Sequence, residues 1–246
     1  METLDNVLSK SGVTFEIIAV SDGSTDGYDA ALEAVSAHVR VVQLNHNWGK
    51  GQALRVGLSM GRGAYLGFID ADGDLPAEQV ASYVTLVQSY HPDVVLGSKR
   101  HPMSEVEYPI IRRIYSWGYQ QLVRTLFRLN VRDTQTGLKI LRREMVADVL
   151  PRMLEKRFAF DLEMLVVARR LGYKKFFEAP VRIEERLSST ISRRAVRSML
   201  VDTLAIFYRL RVRHWYDQVP GLQAVSLNHP TGDVSPSVPL PQIVAS

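Results

Sequence analysis

Residues 64–76, Ala64-Tyr65-Leu66-Gly67-Phe68-Ile69-Asp70-Ala71-Asp72-Gly73-Asp74-Leu75-Pro76, decide the fold. The apolar run 64–69 reads as a buried strand, and it ends abruptly in three carboxylates at alternate positions. Pro76 then fits the opening of a helix to about Tyr90. Oxygen-only donors packed this closely suit Mg²⁺ or Mn²⁺, which bind one or two carboxylates together with substrate phosphates. A calcium loop is excluded: its sixth position would be Leu75 rather than Gly, and its twelfth Ala81 rather than Glu. The competing plain reading is a polar turn that caps the following helix.

Outward from this stretch the pattern repeats. The strand at 15–20 ends in Ser21-Asp22-Gly23-Ser24-Thr25-Asp26-Gly27, and a helix is expected at 28–38. The strand at 41–44 ends in Asn45-His46-Asn47-Trp48-Gly49-Lys50-Gly51, ahead of a helix at 52–61. The strand at 93–97 ends at Ser98-Lys99-Arg100. Strands alternating with helices predict an α/β, Rossmann-like, mostly parallel sheet flanked by helices, with the chemistry in loops at the carboxyl ends of its strands. Further helices are expected at 108–129, 142–151 and 159–171. Residues 191–213 form a basic amphipathic helix that fits either an anionic membrane surface or a core with a solvated Arg face. The Pro-, Ser- and Val-rich end, 218–246, reads as a disordered tail.

The 246 residues carry a net charge of +4, with no cysteine and 46% hydrophobic residues. Residues 1–98 hold five Lys/Arg against twelve Asp/Glu, a net of −7; residues 99–217 hold twenty-five against thirteen, a net of +12. An acidic half suits a metal, and a basic half suits phosphates or anionic lipid heads. The absence of cysteine excludes a disulfide framework and a thiolate metal site, and fits the cytoplasm. No apolar run reaches the roughly 18 residues that span a bilayer, and the first ten residues lack the apolar region of a signal peptide. No nucleic-acid motif is present, and nucleic acid is not an expected partner.

Taken in order, D-G-S-T-D-G, N-W-G-K-G and D-A-D-G-D-L-P resemble the nucleotide-sugar half of family 2 glycosyltransferases with the GT-A fold. Gly97-Ser98-Lys99-Arg100, Arg112-Arg113-Ile114-Tyr115-Ser116, Asp133-Thr134-Gln135-Thr136-Gly137-Leu138-Lys139, Phe158-Ala159-Phe160-Asp161-Leu162-Glu163 and Arg186 before Ser188-Ser189-Thr190 are similar to the dolichyl- or polyprenyl-phosphate mannose (or glucose) synthase group. The likeness covers roughly residues 12–213 and makes 1–217 one domain. It implies an inverting hexosyltransferase that moves mannose or glucose from a nucleotide diphosphate sugar to dolichyl or polyprenyl phosphate at the cytoplasmic face of a membrane, bound peripherally. By the same likeness Val20, Asp22, Asp70, Ala71, Asp72, Lys99 and Arg100 would bind the nucleotide sugar. Asp70, Asp72 and Asp74 would hold the metal, Mg²⁺ or Mn²⁺. Arg112, Ser116 and Arg186 would bind the acceptor phosphate, with Asp72 and Arg112 catalytic. A phosphate acceptor, whose second pKa is about 6, is already ionised near neutrality and needs no protein base.

The chain departs from that family in three places. Ser21 replaces the first Asp of an Asp-Asp pair. Ser-Thr-Ile replaces Ser-Lys-Leu after Arg186. The strand with a Pro-x-Tyr-Asn-Glu-like segment that normally opens the domain is missing, and the expected loss falls at the centre of the sheet. Either Met1 is an internal methionine of a longer protein or the chain is a degraded copy; the intact downstream motifs favour the first. The alternatives to a lipid-phosphate acceptor are a non-catalytic nucleotide-sugar-binding remnant and a family 2 transferase that acts on a saccharide.

Overall fold

The structure is a computed structural model that describes residues 2–24, 36–105, 110–157, 159–183 and 193–218, with the side chains of 110–114 and 193–195 left aside. Helix α1 (Glu2–Lys10) carries its acids in the first turn and its lysine in the last, as the helix dipole favours. Strand β1 (Ile17–Asp22) pairs in parallel with β2 (Val39–Leu44), in register from Ile17↔Val39 to Asp22↔Leu44. Helix α2 (Lys50–Met60), β3 (Tyr65–Ile69), α3 (Gln79–Tyr90) and β4 (Val94–Ser98) follow. The alternation expected from sequence is therefore present from 39 to 98. Most of the helix expected at 28–38 lies outside the described residues, and 37–38 form a turn.

Two strands were not expected. Helix α4 (Ile110–Phe127) leads to β5 (Leu138–Arg142), and α5 (Arg143–Val149) with the 3₁₀ turn Leu150–Arg152 precedes α6 (Phe160–Arg170) and β6 (Phe176–Pro180). The four-stranded sheet has the order β3-β5-β4-β6, with β5 antiparallel to both neighbours and β6 parallel to β4. Three of its four strands thus share one direction. β1 and β2 form a separate sheet. Helix α2 contacts β1 of the smaller sheet and β3 of the larger one. Helix α7 (Arg193–Arg211) and the short α8 (Trp215–Gln218) complete the described chain, and 219–246 lies outside it.

The four-stranded sheet has a core on each face, as alternation along its strands requires. Val94, Leu96 and Leu141 point to one face, against α6, whose residues Phe160 to Ala168 are all buried. A helix buried on every side belongs in a core, and its two acids, Asp161 and Glu163, then need buried partners. Val95, Leu138 and Ile140 point to the other face, against Val80, Tyr83 and Val87 of α3, with Leu4 and Leu8 of α1 packed behind. These layers hold the carboxyl ends of the strands along one edge.

Candidate active site

Along that edge the four polar loops are joined by one continuous run of contacts. At the end of β1, both oxygens of Asp22 accept backbone N–H groups, from Trp48 and Gly49, at 2.8 Å each. This clamps the loop after β2. The approach is tight: a Cβ on Gly23, whose φ is +76°, would lie 2.6 Å from the backbone of Asn47. The clamp delivers Lys50 to the first turn of α2, and its Nζ lies 2.6 Å from the carboxylate of Asp70 after β3.

Asp70 is also fixed from the other side. Its N–H donates to the Gly137 carbonyl at 3.0 Å, and a Cβ on Gly137 would lie 1.9 Å from its Oδ2. Residue 137 must therefore be glycine for Asp70 to stand where it does. The same turn is tied by Asp133, which accepts from Thr136 Oγ1 at 2.9 Å, from the Gln135 N–H at 2.9 Å and from the Lys99 N–H at 3.2 Å. Lys99 and Arg100 follow β4. The Arg100 guanidinium donates to Ser116 Oγ at 3.1 Å and to Gln120 on α4. Asp22, Asp70, Lys99, Arg100 and Ser116 are thus brought onto one edge.

The other expected residues are placed differently. Ala71, Asp72 and Asp74 lie exposed on the turn after Asp70, and Asp72 Oδ1 accepts the Asp74 N–H at 3.1 Å. The Val20 side chain faces α2 beside Gly57 rather than the loops. Arg112 lies in the first turn of α4, but its side chain is not among those described, and Arg186 lies outside the described residues. Among the described residues no three Asp, Glu or His side chains form a ready-made metal cage. Exposed carboxylates of this kind fit a Mg²⁺ or Mn²⁺ ion whose remaining ligands are substrate phosphates.

Sequence reasoning gave no role to the supports of this edge. Lys139 on β5 is fully buried, and its Nζ donates to Asp161 Oδ1 at 2.7 Å and to the Thr136 carbonyl at 2.6 Å. Glu163 on α6 is also fully buried; its Oε2 accepts the N–H groups of Leu154 and Glu155 at 2.8 and 2.7 Å. Burial pushes its carboxyl above the usual range, opposed by those hydrogen bonds, one from Tyr216, and Arg209. This network holds the segment 153–157, whose Lys156 carbonyl packs against Gly49 and Gly51. The signal was in the quoted sequence: Asp161, Glu163, Lys139 and Lys50 all fall within its motifs.

A split α/β architecture, with acidic and basic loops meeting at the ends of its strands, is that of a GT-A type glycosyltransferase domain. The chain belongs to the family "Glycosyl transferase family 2", whose model matches residues 1–150. Among its relatives, a dolichyl-phosphate beta-glucosyltransferase of Dictyostelium discoideum is 30% identical over 170 residues, covering 65% of this chain and 52% of that protein. The human protein of the same name is 31% identical over 180 residues, covering 68% and 54%. This chain spans about half the length of these relatives. Among solved structures, mannosyl-3-phosphoglycerate synthase from Rubrobacter xylanophilus aligns with a TM-score of 0.66 at 18% identity, covering 86% of this chain and 69% of that one. Glucosyl-3-phosphoglycerate synthase from Mycobacterium tuberculosis, in complex with Mn²⁺, UDP-glucose and phosphoglyceric acid, aligns at 0.62 and 18% identity, covering 84% and 74%. At that identity the likeness establishes the fold.

Proposed function

We propose that this domain transfers glucose, with inversion, from UDP-glucose to dolichyl or a related polyprenyl phosphate. The observation that carries this reading is the continuous run of contacts that joins Lys50 and Asp70, through Gly137 and Asp133, to Lys99, Arg100 and Ser116, with the exposed Asp72 two residues beyond Asp70. Such an edge can hold a metal-bound diphosphate and a second phosphate together. Glucose rather than mannose is supported by the relatives, which are named beta-glucosyltransferases. UDP as the nucleotide is supported by the M. tuberculosis complex with UDP-glucose.

The chemistry follows from charge. A divalent ion held by Asp72, with Asp70 and Asp74 beside it, would stabilise the negative charge that grows on the leaving nucleoside diphosphate. Lys50 balances Asp70 and keeps that carboxylate in place. Arg100, steadied by Ser116 and Gln120, supports the phosphates from the α4 side. Arg112 and Arg186, by family likeness, complete the acceptor-phosphate site. Because the acceptor is already ionised, no residue of the chain has to remove a proton.

We place the domain peripherally on the cytoplasmic side of a membrane. No described helix is long and apolar enough to cross one. Support comes instead from α7, which packs Thr203, Ile206 and Phe207 inward while Leu200, Val201, Leu204 and Tyr208, with Val212 just past its end, stand exposed. The reading is tested by calorimetric titration with UDP-glucose, with and without Mn²⁺. Metal-dependent binding that is lost in Asp72→Ala supports it. Equal binding by Asp72→Ala, or preference for a purine nucleotide sugar, contradicts the assigned donor site.

A further inference from the structure

At the end of the molecule remote from the active site, the last turns of α4, α6 and α7 meet around a cavity of about 230 Å³. Its floor is apolar, made by Phe127, Val166 and Leu210. Its rim carries four arginines, Arg128, Arg169, Arg170 and Arg211, with His214 beside them. Arg170 is engaged by Asp217 through two hydrogen bonds, at 2.8 and 2.7 Å. Arg128, Arg169 and Arg211 are exposed and make no ion pair or side-chain hydrogen bond with any described residue.

Arginines at helix C-termini are ordinarily explained by the dipole, so the charge must be weighed. Three helix ends contribute about −1.5 in all, and Asp217 adds a full negative charge. Four arginines exceed that, and a positive field remains over an apolar floor. A dipole partner also has no need of a cavity. Arg128 holds a left-handed backbone, with φ of 54°, just past the end of α4.

The cavity is not part of the catalytic edge. Phe160, at the start of α6, packs under Gly51 of the active-site loop. Arg170 ends that helix ten residues on, about 15 Å away at 1.5 Å per residue. It is instead continuous with the exposed apolar face of α7, because Arg211 borders the cavity and Tyr208 and Val212 flank Arg211 on that face.

We propose that this cavity is a second anion site, which takes the phosphate headgroup of an anionic phospholipid while the exposed face of α7 rests on the bilayer. The proposal rests on the membrane part of the reading above, and not on turnover. Helix α7 then lies along the surface, anchored at its C-terminal end by the headgroup, and this orients the catalytic edge on the membrane.

The test is vesicle co-sedimentation, with phosphatidylcholine alone and with added phosphatidylglycerol. The triple variant Arg128→Gln, Arg169→Gln, Arg211→Gln should weaken binding to the anionic vesicles about a hundredfold, at about 1 kcal/mol per cation, and leave binding to phosphatidylcholine unchanged. Arg211→Glu alone, at an exposed helix end, should lower anionic binding in the same direction if the triple variant does not fold. Transfer to a short, detergent-soluble polyprenyl phosphate should be unaffected by either, since these residues lie outside the catalytic edge. Wild-type binding of anionic vesicles by both variants overturns the proposal. So does an equal affinity for inorganic phosphate, measured without vesicles, since that would make the site one for a free anion. Vesicle binding is read without turnover, so failure of the transferase reading leaves this result interpretable.

Discussion

Asp70 stands between a cation and a glycine, and that placement sets what the acidic turn can do. Lys50 reaches it from α2, and Gly137 leaves room for its Oδ2 where any side chain would collide. Gly137→Ala should therefore push the carboxylate off Lys50. We expect kcat/KM to fall at least about tenfold, the equivalent of ~1.4 kcal/mol in transition-state stabilisation, with a stability loss of about 1–3 kcal/mol from overpacking. Gly118→Ala is the matched control, since nothing lies within 4 Å of its added Cβ; it should leave steady-state kinetics unchanged and raise stability to urea by about 0.5–1 kcal/mol through helix propensity. Asp70 and Asp72 were legible because three acids after an apolar strand form a local signal. The roles of Lys50 and Gly137 were not, because each depends on a partner at least 20 residues away in the chain.

At the scale of elements, β5 shows why half the sheet escaped sequence reading. Its residues Leu138, Ile140 and Leu141 are apolar, but Lys139 breaks the expected pattern, and the segment was absorbed into a polar motif. The structure buries that lysine against Asp161 of α6, on the face that Leu141 shares. A buried pair costs desolvation on both sides, so losing one partner is worse than losing both. Lys139→Met alone should destabilise the domain by about 3–5 kcal/mol, whereas Lys139→Met with Asp161→Leu should recover most of that loss. Urea midpoints of the two variants decide this, and equal losses would show that the pair acts through something other than its buried charge. The strands at 39–69 and 94–98 were readable because apolar runs ending in polar turns need no partner to be recognised. The antiparallel insertion of β5 between β3 and β4 is a tertiary result with no local mark.

For the whole molecule, the charge division seen in the sequence has two destinations. Acidic residues from the first half gather after β3, and Lys99 and Arg100 from the basic half meet them on the same edge. Other arginines go to the opposite end, where α4, α6 and α7 terminate. Sequence left α7 open between an anionic membrane surface and a core with a solvated Arg face; the structure packs one side into the core and leaves Leu200, Val201, Leu204 and Tyr208 exposed on the other. Val201→Glu with Leu204→Glu places two charges on the exposed side only. We expect thermal stability close to wild type and a clear loss of vesicle binding, read by co-sedimentation. β1 and β2 stand apart from the larger sheet, and α2 contacts a strand of each.

The account stands or falls on sugar transfer itself. Labelled UDP-glucose, GDP-mannose and other nucleotide sugars would be offered to the protein with Mn²⁺ or Mg²⁺ and a polyprenyl phosphate. The account predicts lipid-linked glucose from UDP-glucose, with metal removal by a chelator and Asp72→Ala each abolishing the product. Lipid-linked mannose would contradict the sugar assignment, and no lipid-linked product with any donor would contradict the lipid-phosphate acceptor.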